Sequence, residues 1–111
     1  MVKRINSKQK GKRGELELAH YLTDRGFPAR RGQQYEGGSD SPDVIIDNLP
    51  QYNIEVKRVD KGVKIYDWMD QAVRDSKGKK IPVVVHRKSH QPWVCILLID
   101  DFLNLVRPKD G

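Results

Sequence analysis

The spacing of hydrophobic and polar positions changes several times along the chain, and each change marks an element. From Gly14 to Arg25, Leu18, Ala19 and Leu22 recur at the three-and-four spacing of one helical face, and Gly26 stops the run. Residues 2–13 hold six basic side chains, no acidic one and no apolar periodicity, which predicts a mobile or weakly helical arm. Phe27 to Arg31 has the length of a short strand, and Gly32 to Pro42 is too polar and glycine-rich to be anything but a loop. Asp43–Asp47 and Asn53–Arg58 alternate as strands around the turn residues Asn48-Leu49-Pro50-Gln51, an antiparallel hairpin.

Ile65, Trp68, Met69, Ala72 and Val73 then mark an amphipathic helix that the Ser76-Lys77-Gly78 break ends. Ile81–His86 and Trp93–Ile99 are near-continuous apolar runs, the pattern of strands covered on both faces, and Cys95 falls inside the second as a small core residue. Asp100 or Asp101 can cap a last helix carrying Phe102, Leu103, Leu105 and Val106, which Pro108 ends. The order αβββαββα predicts an α/β domain, a mixed central sheet flanked by helices. The chain divides into a basic arm (residues 1–13), one folded domain (14–107) and a short tail (108–111).

Charge adds a direction. The 111 residues carry a net charge of +6, all of it N-terminal: residues 1–31 hold nine basic and three acidic side chains, and the remainder is balanced. A one-sided cationic surface suits a polyanion, nucleic acid above all. A single cysteine excludes an internal disulfide framework and a Cys-rich zinc or iron–sulfur site. There is no apolar run of membrane-spanning length and no signal-peptide pattern, so an intracellular, cytoplasmic location is expected. GxxxxGK[ST], HExxH and GxSxG are all missing, which removes phosphate-loop, zinc-protease and serine-hydrolase chemistry. His20, His86 and His90 share no ligand spacing.

What remains is a set of carboxylates. Strand alternation puts Glu55 and Lys57 on one face and Ile54, Val56 and Arg58 on the other. A turn centred near Leu49 and Pro50 makes paired positions sum to about 99, which lays Asp43 across from Glu55 to Lys57. On a helical wheel Glu15 falls on the Leu18–Ala19–Leu22 stripe, whereas Glu17, about 200° away, points to solvent. A carboxylate on a packing face needs a cation or hydrogen-bond donors, and hard oxygen ligands favour Mg²⁺ or Mn²⁺. Such an ion beside a lysine is equipment for phosphodiester hydrolysis.

Glu15, Pro42-Asp43 and Ile54-Glu55-Val56-Lys57 together resemble the PD-(D/E)xK nuclease superfamily, the restriction-endonuclease-like fold. With Lys10-Gly11 before the helical Glu, and Gly26-Phe27 and Arg31 after it, the frame resembles the archaeal-type Holliday junction resolvases and their viral relatives over residues 8–60. The resemblance implies a Mg²⁺-dependent homodimeric endonuclease, Mn²⁺ substituting, that places symmetric nicks in branched four-way DNA. Neither a membrane nor a small-molecule cofactor is implied. Carried over by position, Glu15, Asp43 and Glu55 are the metal-binding carboxylates, the Val56 carbonyl a further ligand, Lys57 the catalytic lysine and Arg31 a phosphate grip. Two departures stand out: Leu16 occupies the position where the family has arginine, and both Ser39 and Ser41 can match its serine before the Asp.

Lys8, Lys10, Lys12, Arg13 and Arg30 complete the expected DNA contacts, with Lys3 and Arg4 further along the arm. Gln71, at the edge of the second helix's apolar stripe, is a possible accessory to the site, while Trp68 belongs to the core and Trp93 to a sheet end or a dimer contact. A nuclease for linear or flapped DNA and a non-catalytic DNA-binding module both remain open on these residues.

Overall fold

The computed structural model describes residues 7–32 and 42–108, with backbone alone for residues 7–10. In chain order they form α1 (Ser7–Asp24), β1 (Ala29–Arg31), β2 (Val44–Ile46), β3 (Tyr52–Arg58), α2 (Ile65–Ser76), β4 (Ile81–Arg87), β5 (Val94–Ile96) and α3 (Ile99–Val106). The predicted order αβββαββα is the observed one. The strands make one mixed sheet in sequence order, β1 to β5. All neighbours pair antiparallel except β3 and β4, which are parallel and joined through α2. No helix among the described residues is long and apolar enough to cross a membrane.

The alternation along β3 decides what each face of the sheet holds. Ile54 points to the α1 side and packs with Leu18, Val44, Ile46 and Val83. On the opposite side α2 lays Trp68, Met69 and Ala72 against Val84. Trp68 is in the core, as its spacing predicts, and stacks obliquely on His86 with ring centroids 5.0 Å apart. Because Glu55 and Lys57 alternate with Ile54 and Val56, they fall on the α2 side, and Glu55 is only 3% exposed.

Three expectations need correction, and a fourth, the hairpin register, holds. The helix begins at Ser7 rather than Gly14, so residues 7–13 extend α1 instead of forming an arm. Lys, Gln and Arg are good helix formers, and one packed half suffices to carry an unpacked extension. The hairpin register pairs Val44 with Ile54, a sum of 98 that agrees with the expected value of about 99 and sets Asp43 opposite Glu55. β5 is three residues long and sits at the sheet edge with Val94 and Cys95 exposed, so Cys95 is not a core residue. α3 is capped by Leu98, not by Asp100 or Asp101, and none of its residues is buried.

Glu17 departs from its wheel position as well. Its carboxylate accepts hydrogen bonds from Arg58 Nε at 3.0 Å and from Arg87 Nη1 at 2.6 Å, tying α1 to β3 and β4. Two long guanidinium arms reach a side chain that a wheel assigns to solvent. The same meeting of α1 and β3 requires a residue without a side chain: a Cβ on Gly14 would lie 2.6 Å from Arg58 Cβ.

Gly14→Ala therefore tests the α1–β3 contact by its sign. In an exposed helix this change stabilises by up to about 1 kcal/mol. Here overpacking should lower the urea unfolding free energy by about 1–3 kcal/mol.

Candidate active site

Asp43 is fixed on three sides. Its N–H donates to the Ile54 carbonyl at 2.8 Å, its carbonyl accepts the Gly32 N–H at 2.9 Å, and its Oδ2 accepts the Val56 N–H at 2.9 Å. The last bond stands where the β2–β3 ladder gives out, so a side chain replaces a strand as partner for the Val56 amide. Gly32 is obligatory here, since a Cβ at that position would overlap the Pro42 carbonyl oxygen. The close crossing of Gly32 and Pro42 thus roots Asp43 beside the strand that carries Glu55 and Lys57.

Glu55 and Lys57 each meet a residue of α2. Lys57 Nζ donates to Gln71 Oε1 at 2.9 Å, which brings Gln71 into the site. The Asp43 and Asp75 carboxyls lie close enough to Glu55 for their charges to act on it. Glu55 Oε1 is fully buried and has no hydrogen-bond partner. Burial, and then the charges of Asp43 and Asp75, push the Glu55 carboxyl up to about 9. Burial also raises Asp43, although the Val56 N–H and the nearby Lys57 act against it.

Glu15 approaches from α1. Its Oε1 accepts from Arg31 Nε at 3.0 Å, and its side chain is only 14% exposed. Burial raises its carboxyl and the Asp43 charge adds to that, while the Arg31 hydrogen bond opposes both. Arg30, one residue earlier on β1, points away and pairs with Asp47 at 3.0 Å on the exposed side. The two arginines separate as strand alternation requires, and Arg31 is the one at the site. Lys12 and Arg13 are exposed on α1. The side chains of Lys8 and Lys10, and all of Lys3, Arg4, Gly37, Gly38, Ser39 and Ser41, lie outside the described residues.

Glu15, Asp43, Glu55 and Lys57 are thus linked around Asp43, with Arg31 and Gln71 as their immediate partners. The donors suit a hard divalent cation: acidic oxygens, one of them buried and unpartnered, and no soft ligand. As placed, no three acidic, imidazole or thiol side chains among the described residues form a ready cage for an ion. Glu15 is turned to Arg31 instead. Sequence reasoning missed Asp75. The signal was available, since Asp75 stands one helical turn after Gln71, but it is readable only once Gln71 is known to face the strand.

Comparison with known proteins fits this arrangement. The family described as "Phage putative PDDEXK endonuclease" matches residues 6–109. Among solved structures, Hjc from Archaeoglobus fulgidus, a Holliday junction resolvase from an archaeal hyperthermophile, is similar at 25% identity and a TM-score of 0.58. The match covers 79% of this chain and 72% of that one. No curated protein sequence matches the chain.

The raised carboxyls make a stability prediction. A carboxyl whose pKa is raised on folding keeps its proton longer in the native state, so stability falls as pH rises from the unfolded pKa towards the folded one. For Glu55 that window runs from 4.5 to about 9. Glu55→Gln removes the charge and keeps the shape, so it should raise the thermal midpoint at pH 8 by a few degrees or more. It should also flatten the decline of stability between pH 5 and pH 9 in differential scanning calorimetry.

Proposed function

The chain belongs to the phage PDDEXK endonuclease family, and from that premise we propose that it is a structure-selective, divalent-cation-dependent DNA endonuclease that resolves four-way junctions by paired nicks. The observation that carries the reading is the clamp of Asp43 Oδ2 on the Val56 N–H. It holds the acidic residue just before β2 against the Glu55–Val56–Lys57 stretch of β3, which supports a hydrolytic centre at that meeting. The junction as substrate is supported by the likeness to Hjc, a Holliday junction resolvase, and by the one-sided basic charge of residues 1–31.

The residues divide the work by chemistry. Glu15, Asp43, Glu55 and the Val56 carbonyl would hold Mg²⁺, or Mn²⁺ in its place. The ion would polarise the scissile phosphate and lower the pKa of a bound water. Lys57, steadied by Gln71, presents an ammonium to the water and to the charge that builds on the phosphate oxygens. Arg31 has a guanidinium edge beyond the one that Glu15 takes, and a phosphate oxygen is its natural further partner. Lys12 and Arg13, exposed on α1, add the sequence-independent attraction to the DNA backbone.

Paired incision of a two-fold substrate is most simply done by a two-fold dimer. α3 supports a homodimer, because Ile99, Phe102, Leu103, Leu105 and Val106 are all left exposed on one short helix.

The test is cleavage of a labelled four-way junction beside a linear duplex of the same sequence, with Mg²⁺ or with EDTA. Wild type should nick the junction symmetrically, only with the cation, and prefer it to duplex by at least an order of magnitude. Asp43→Asn keeps an acceptor for the Val56 N–H, so it should fold and bind the junction while cutting at least about a thousandfold more slowly. Equal cutting of linear or flapped DNA would discard the junction role, and binding without cutting would favour a non-catalytic DNA-binding module. Sedimentation of the wild type should give a dimer.

A further inference from the structure

Parallel pairing of β3 with β4 forces the intervening helix to run back along the sheet, so α2 is antiparallel to β3. Four helical residues then advance about 6 Å and two strand residues about 6.6 Å, which keeps the elements in step over two rungs. Lys57 meets Gln71 on the first rung at 2.9 Å. Two residues back along β3 and four on along α2, the same step sets Asp75 opposite Glu55 on the second, near enough for its charge to raise the Glu55 carboxyl. The placement of Asp75 thus follows from the fold and from the Lys57–Gln71 contact.

The second rung holds groups that lack a partner. Glu55 is 3% exposed and its Oε1 has no hydrogen bond. Asn53, two residues further on the same face of β3, is 1% exposed, and both polar atoms of its side chain are unpartnered. Buried polar atoms of this kind cost free energy unless a ligand or ordered water meets them. A hydrated divalent cation meets both needs, since Mg²⁺ binds few carboxylates directly and keeps several of its waters. Retained water also accommodates carboxylates that are not gathered into a closed cage.

We propose that Asp75 is a further acidic residue of the cation-binding centre, set opposite Glu55 by α2, and that it helps hold the hydrated divalent ion. The inference rests on the nuclease reading for the ion's purpose, but not for its detection. Asp70 provides the control: it carries the same charge on the same helix and is exposed.

Calorimetric titration of the whole protein with Mn²⁺ tests it without DNA. Asp75→Asn should weaken Mn²⁺ binding by about tenfold, the effect expected for a residue that supports a metal ligand. Asp70→Asn should leave it within about twofold of wild type. Asp75→Ser serves in the same comparison if the asparagine variant fails to fold. Unchanged affinity in the Asp75 variant, or equal loss in the Asp70 variant, overturns the proposal. Wild type that binds Mn²⁺ through Asp75 but cuts no DNA overturns the nuclease reading alone, and wild type that binds no Mn²⁺ overturns both.

Discussion

One hydrogen bond, from the Val56 N–H to Asp43 Oδ2, holds the centre together. A ladder partner would have been a backbone carbonyl, neutral and fixed in register. By using a side chain instead, the protein turns the end of a β-ladder into a place where charge can be put. Everything around it serves that exchange. Gly32 lets two backbone segments cross, the Ile54 carbonyl fixes the Asp43 amide, and strand alternation then delivers Glu55 and Lys57 to the neighbouring face.

The two faces of the sheet handle charge differently. On the α1 side Glu17 is shared by Arg58 and Arg87, so its charge is matched by partially exposed guanidinium groups. Such pairs contribute modestly to stability and mainly fix how α1 sits on the strands. On the α2 side Asp43, Glu55 and Asp75 crowd together with Lys57, and burial is the main force raising Glu55 and Asp43. That second arrangement stabilises nothing by itself. It is an arrangement costly to the fold, the trade-off seen where function outweighs stability.

Much of this was legible in the sequence because strand alternation is strict. Once Asn53–Arg58 is a strand, Glu55 and Lys57 must share a face, and a turn near Leu49 and Pro50 can displace Asp43 by little; the observed register sets it opposite Glu55. Glu15 was legible because a carboxylate on an apolar stripe is costly. The errors have a common cause in contacts between distant parts of the chain. The Arg58 and Arg87 arms that find Glu17, and the helix–strand match that brings Asp75 to Glu55, leave no local pattern. The apolar run from Trp93 to Ile99 fits a covered strand, yet β5 is an edge and α3 keeps its apolar residues on the surface. Hydrophobic spacing identifies the element and not how much of its surface the domain itself covers.

The crossing of Gly32 and Pro42 separates two problems that nucleases must both solve. Gly32 and Pro42, the described residues on either side of positions 33–41, lie against each other, and the backbone bond from Gly32 N–H to the Asp43 carbonyl seals that crossing. Lengthening a closed loop costs only slowly increasing entropy, about 0.6 kcal/mol per doubling. An insertion, deletion or wholesale exchange between those two points therefore leaves Asp43 where it is. Sequence change between those two points is thus decoupled from the position of Asp43, and a lineage could vary one without rebuilding the other.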